Sequence, residues 1–107
     1  METTELEAYV SKHISMAPKL QVLNPEQLLC FSVTGLNEEA GEVAGLLCRE
    51  VYKKTDMPRY KWLEEMGDVL WYLTAATLAR GMTLEELWQY NAEKLEGRYG
   101  ELRQNEV

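Results

Sequence analysis

The chain is poor in the residues that most often carry soft-metal and nucleophilic chemistry. Its 107 residues include one histidine and two cysteines. A lone His13 speaks against a histidine-based metal site and against a Ser-His-Asp triad. Cys30 and Cys48 lack metal-type spacing such as C-x-x-C. Both lie in apolar stretches, so both are expected to be buried, reduced thiols. Basic residues are also scarce: 11 Lys and Arg against 18 Asp and Glu give a net charge of −7. That balance argues against binding nucleic acid polymers, which relies on basic patches. It leaves room for small anionic ligands, because divalent cations can lie between an acidic site and a phosphate. The apolar run Val69 to Ala79 is too short to span a bilayer. No basic segment followed by an apolar stretch opens the chain. No signal peptide is therefore expected, and the cytoplasm is the expected location. Alternating apolar and polar runs and hairpin dipeptides such as Asn-Gly are missing, which leaves no case for β structure.

What is present reads as helix. Hydrophobic residues make up 46% and charged residues 27%, a composition that folds. The length fits one small domain, 1–107. Thr4 followed by Glu7 has capping-box spacing and predicts a first helix to about Ala17. "APKLQVLN" reads as a connection. "NPEQ" predicts a second helix from Pro25 to about Lys53, with Asn24 as N-cap, Pro25 in the first position and Gln27 completing a capping box. Lys53 and Lys54 suit its C-terminus. After "KTDMP", a third helix starts at Pro58 and ends near Ala79 or Arg80, before Gly81. Thr83 with Glu86 opens a fourth helix to about Arg103, and the tail "QNEV" is expected to fray. The expected fold is all-α, a four-helix bundle-like domain.

The third helix raises a question of charge. Glu64, Glu65 and Asp68 stand at the entrance of its apolar run. Residues three or four apart share a helix face. Taking Glu65 as reference, Asp68 lies about 60° to one side, and Val69, Tyr72, Ala76 and Ala79 lie within about 40°. Glu65 and Asp68 therefore project from an apolar face, whereas Glu64 lies about 100° away. The second helix carries "NEEAGE". Its apolar stripe is Leu36, Ala40, Val43, Leu47 and Val51, with Glu39 on the flank. Glu42 lies about 60° further round, on the side of Glu39 and Leu46, and Glu38 points more nearly away. Two i,i+3 carboxylate pairs on consecutive helices can converge across one groove. Four ionised carboxylates cannot share a dry site unaided. Hard cations such as Mg²⁺ or Mn²⁺, which prefer carboxylate oxygen and water, resolve the conflict.

Positive groups lie nearby in the pattern. Lys61 stands one turn before Glu65, and Asn91, Lys94 and Arg98 form an i, i+3, i+7 line on the fourth helix. Such donors suit phosphate, and Trp62, Trp71 and Tyr72 can stack on a base. The third helix is apolar on nearly every side from Val69 to Leu78, and a small domain can hardly hide it alone. A homo-oligomer is expected, with Leu70, Trp71 or Leu78 facing another subunit.

"EEAGE" followed by "EEMGDVLWYL" resembles the E-E-x-x-E … E-x-x-D signature of MazG-type nucleotide pyrophosphohydrolases, in the all-α NTP pyrophosphatase superfamily. The matching positions are Glu38, Glu39, Glu42, Glu65 and Asp68, with 22 residues between Glu42 and Glu65. "NAEKLEGRYG" is similar to the family's N-x-x-K-x-x-x-R-Y ending, although Gly100 stands where proline often follows. The resemblance covers roughly residues 25 to 100. It implies hydrolysis of a nucleoside triphosphate to the monophosphate and pyrophosphate, in nucleotide-pool housekeeping. It implies Mg²⁺ held by Glu39, Glu42, Glu65 and Asp68, a water oriented or deprotonated by Glu38, and phosphates held by Lys61, Lys94 and Arg98. It also implies dimers, or tetramers built from dimers. Two other readings stand beside it: a phosphoribosyl-ATP pyrophosphatase-like enzyme, and a non-catalytic helical interaction protein whose carboxylates form a solvated face.

Overall fold

The structure is a computed structural model that describes residues 2–105, with side chains described through Arg98. The described residues form five helices and no strand: α1 Thr3–Met16, α2 Pro18–Gln21, α3 Pro25–Tyr52, α4 Arg59–Ala79 and α5 Leu84–Asn105. The all-α class follows the sequence reading, with one short helix, α2, added where a plain connection was expected. Part of the tail expected to fray is still helical to Asn105, and the last two residues lie outside the described residues.

The helix ends are set locally. Asn24 Oδ1 accepts from Gln27 N at 2.8 Å, and Gln27 Oε1 accepts from Asn24 N at 3.0 Å, so the capping box of α3 is closed. Thr83 and Glu86 close a second box at the start of α5 through two 3.2 Å bonds. The end of α4 is a Schellman turn: Met82 N donates to Thr77 O, Gly81 N donates to Leu78 O, and Gly81 takes φ 71°. Beyond α3, Lys54 takes φ 56°, a left-handed conformation usually left to glycine.

One expected cap does not form. Helix α1 is preceded by Glu2, without a side-chain cap, and Thr4 already lies inside the helix. Glu7 instead turns its carboxylate to the other end of the chain, where Oε2 accepts from Leu84 N at 3.3 Å. A free amide at a helix N-terminus and a carboxylate attract each other, so α1 tethers the start of α5.

The main packing is α3 along α4 in an antiparallel hairpin, with α1 on α4 and the start of α5 on α1. Helix α3 presents Ser32, Gly35 and Leu46 as its buried residues. This face is rotated from the expected stripe, since Leu47 and Val51 stay 54% and 48% exposed. The buried face runs instead through Gly35, against which the Tyr72 ring of α4 lies. Thr74, Ala75, Ala76 and Thr77 form the buried part of α4. The hydroxyls of Ser32, Thr74 and Thr77 are satisfied by carbonyls one turn back. Cys30 and Cys48 correct the sequence reading: both thiols are exposed, because both point away from the α3–α4 seam.

The hairpin turn is clasped by Glu50. Its Oε1 accepts from Met57 N and from Trp62 Nε1, both at 3.1 Å. Helix α5 is different. Among the described residues it scarcely touches α3 or α4. The radius of gyration is 17.5 Å, against about 13 Å for a compact chain of this length.

Candidate metal centre

The carboxylates sit in the groove between α3 and α4. Their helices run antiparallel, and three pairs stand level: Gly35 with Tyr72, Glu39 with Asp68, Glu42 with Glu65. The Tyr72 ring overlaps the place a Cβ on residue 35 would take. That close approach draws the two helices together one turn from Glu39. Gly41, Gly45 and Gly67, by contrast, have nothing within 4 Å of such a Cβ and serve no tight packing.

One oxygen from each of Glu39, Glu42 and Glu65 falls within 4.8 Å of the others. Ligand oxygens on opposite sides of Mg²⁺ stand about 4.2 Å apart, so small side-chain adjustments bring this trio to one ion. Asp68 lies outside the trio, exposed, but close enough to raise the proton affinity of Glu39. Glu39 Oε2 and Glu65 Oε2 are buried without a hydrogen-bond partner. Buried carboxylate oxygens left bare are costly. A hard cation is the group they fit, and the donor set is entirely oxygen.

The charges show the same strain. Burial pushes the Glu39 carboxyl up, and the charges of Glu42 and Asp68, a hydrogen bond with Glu42, and the charge of Glu38 act the same way. The Glu65 carboxyl is pushed up to about 7, first by a hydrogen bond with Glu42, then by burial and by the charges of Glu42, Glu64 and Glu39. Both shifts run toward the protonated form, as expected for carboxylates crowded together without a cation. Glu38 is exposed at the rim. Its charge reaches both Glu39 and the phenol of Tyr72.

The expected phosphate donors are placed unevenly. Lys61 Nζ lies 3.8 Å from Glu64 Oε1, on the rim of the groove. Glu64 is not part of the oxygen trio, although its charge reaches Glu65. Asn91, Lys94 and Arg98 are exposed on α5, a helix that scarcely touches α3 or α4. Within one chain they are not packed against the carboxylates.

Sequence reasoning passed over Gly35 and Glu50. Gly35 lies one turn before Glu39 and faces Tyr72. A glycine i−4 to a glutamate of the acidic motif was the available signal. Glu50 offered none, since its partners are a backbone amide and an indole nitrogen supplied by the next helix.

Among curated proteins and solved structures, none matches the chain. No helix among the described residues is long and apolar enough to cross a membrane. Residues 31–102, which contain all five acidic positions as well as Asn91, Lys94 and Arg98, match the MazG nucleotide pyrophosphohydrolase domain, and the chain belongs to that family.

Proposed function

We propose that the protein hydrolyses nucleoside triphosphates to the monophosphate and pyrophosphate, using Mg²⁺, or Mn²⁺ in its place, held by Glu39, Glu42, Glu65 and Asp68. The observation that carries this reading is the pair of bare buried oxygens on Glu39 and Glu65 inside a MazG domain. The cation, when bound, offsets negative charge on the phosphates and eases deprotonation of water.

The chain's own residues divide the remaining work. Glu38, exposed beside Glu39, orients the attacking water and takes its proton. The water oxygen bonds to the α-phosphorus, and the bond to the bridging oxygen of pyrophosphate breaks. Lys61 at the rim, and Asn91, Lys94 and Arg98 on α5, hold the phosphates and match the charge that develops on them.

A homo-oligomer, a dimer or a tetramer built from dimers, belongs to the same reading. A groove of about 980 Å³ opens between α1, α4 and α5, lined by Leu6, Leu70, Leu73, Leu84, Leu87 and Trp88. Leu70 and Trp88 are 45% and 58% exposed. Apolar surface of this extent favours coverage by a second copy. Two exposed free thiols favour a reducing compartment such as the cytoplasm.

The test is pyrophosphate release from a panel of canonical and modified NTPs and dNTPs, with phosphoribosyl-ATP included, in the presence of Mg²⁺. Turnover of at least one member is expected, lost in Glu42→Gln and Asp68→Asn. A folded protein that turns over none of them rules the reading out.

A further inference from the structure

The net charge of −7 is not spread evenly along the chain. Residues 49–61 span the end of α3, the hairpin turn and the start of α4. They hold five basic residues, Arg49, Lys53, Lys54, Arg59 and Lys61, against two acidic ones, Glu50 and Asp56. The rest of the chain holds six basic residues against 16 acidic ones. One tip of the hairpin is therefore positive on an otherwise negative molecule. Arg49, Lys53, Lys54 and Arg59 are exposed. Among the described residues, Lys61 is the one of the five that pairs with a carboxylate, Glu64. Glu50 is turned to Met57 N and Trp62 Nε1 instead of to these cations.

Two tyrosines stand among the cations. Tyr52, the last residue of α3, is 81% exposed, and Tyr60, in the first turn of α4, is 63% exposed. Arg49, Tyr52 and Lys53 are spaced i, i+3, i+4 and share one side of the helix end. Tyr60 stands between Arg59 and Lys61. The frame beneath them is held. Lys53 N and Thr55 N both donate to Arg49 O, at 3.2 and 3.3 Å, and the Glu50 clasp ties the turn to α4.

Rings interleaved with cations suit single-stranded nucleic acid, because the cations meet phosphates and any base can stack on a ring. A duplex hides the faces of its bases. A strand is narrow enough to touch the tip alone, whereas an anionic bilayer is broad and meets the acidic groups around the tip as well. Tyr52 lies about 15 Å along α3 from Glu42, beyond the screening length of about 10 Å at 0.1 M salt. The carboxylate groove therefore opposes such binding only weakly.

We propose that the α3–α4 turn is a binding surface for single-stranded nucleic acid, with Arg49, Lys53, Lys54 and Arg59 on the phosphates and Tyr52 and Tyr60 stacked on bases. This surface is separate from the carboxylate centre and does not depend on how that centre is read.

The test is fluorescence anisotropy of the whole chain with labelled oligothymidylate and oligouridylate of about twelve nucleotides, both lacking a 5′-phosphate, in a chelator. Without divalent ions the carboxylates repel phosphate, so binding reports the tip. At about 50 mM salt at least one strand is expected to bind, and the tighter of the two names the preferred sugar. Its log K should fall against log salt with a slope of about −2 to −3, for three or four phosphates. Arg49→Gln combined with Lys53→Gln should shrink that slope by about 1.4. Tyr52→Leu, which keeps apolar bulk, should weaken binding about five-fold or more, and Tyr52→Phe should retain it. These positions are exposed, so the variants are expected to match wild type in circular dichroism. Binding of neither strand overturns the proposal, as do a slope and an affinity unchanged in the variants. If neither strand binds but phosphatidylserine vesicles do, and the variants lose them, the tip belongs to a membrane contact instead. If neither strand binds and the Arg49, Lys53 variant sediments as a smaller oligomer, the tip belongs to a subunit contact.

Discussion

The Tyr72 ring lies across Gly35, in the space a side chain at that position would fill. Gly35 is buried inside α3, where alanine would ordinarily be favoured by about 1 kcal/mol. Here the overlap outweighs that gain, since overpacking a core costs about 1–3 kcal/mol. Gly35→Ala should lower the free energy of unfolding in urea by about 1–2 kcal/mol. An unchanged or raised midpoint would show that Tyr72 moves aside freely.

The acidic cluster makes the metal-free protein unusually sensitive to pH. Glu65 has its proton affinity raised from an ordinary 4.5 to about 7. The folded state therefore binds a proton more tightly than the unfolded state does. The resulting stabilisation is complete below about 4.5 and is lost as pH rises through about 7. Glu39, shifted the same way, adds to the trend. Melting in a chelator should fall across this window, and Mg²⁺ should restore it on the alkaline side. A melting temperature that is flat with pH would argue against convergence of these groups.

Removing one charge should separate stability from metal binding. Glu65→Gln keeps the shape of the side chain and relieves its repulsion with Glu42. At pH 8 without metal, this variant should melt above wild type. Magnesium at a hundred times its Kd should stabilise wild type by about 2.7 kcal/mol and the variant far less. Calorimetry with and without Mg²⁺ reads both effects, and an equal Mg²⁺ response in the two proteins would remove Glu65 from the ligand set.

Glu50 sets the register of the hairpin through Met57 N and Trp62 Nε1. Glu50→Ala should cost about 1.5–3 kcal/mol, the range for hydrogen bonds to a charged group. It should also red-shift tryptophan emission as the Trp62 indole meets water. A spectrum identical to wild type would mean that the clasp is open in solution.

The tether from α1 to α5 gives a fifth test. Glu7→Ala leaves the Leu84 amide without its acceptor. Hydrogen exchange at the first amides of α5 should quicken, and stability should fall by about 1 kcal/mol, as for a lost helix cap. Exchange unchanged at Leu84 would place its protection elsewhere.

These residues also mark how far the sequence was legible. Asn24 and Gln27 could be read directly, because a capping box is local and both partners lie within one turn. Thr4 and Glu7 share that spacing, yet Glu7 is drawn to Leu84, a partner 77 positions away. Spacing alone cannot see such competition. The convergence of Glu39, Glu42 and Glu65 was legible because helical angles placed them on facing sides, while the same angles did not show that Asp68 would stay exposed outside the trio. The stripe of Leu47 and Val51 was misplaced, since hydrophobicity alone does not reveal which face of α3 meets α4, set here by Tyr72 against Gly35. Cys30 and Cys48 were misjudged for the same reason.

The four acidic positions of the candidate centre all belong to α3 and α4, consecutive helices joined by a short, clasped turn. Contacts this local form early in folding. If these carboxylates hold a cation as proposed, every protein ligand to it comes from one hairpin. A chain ending before α5 would then still carry the whole ligand set, and loss of α5 would separate metal binding from turnover.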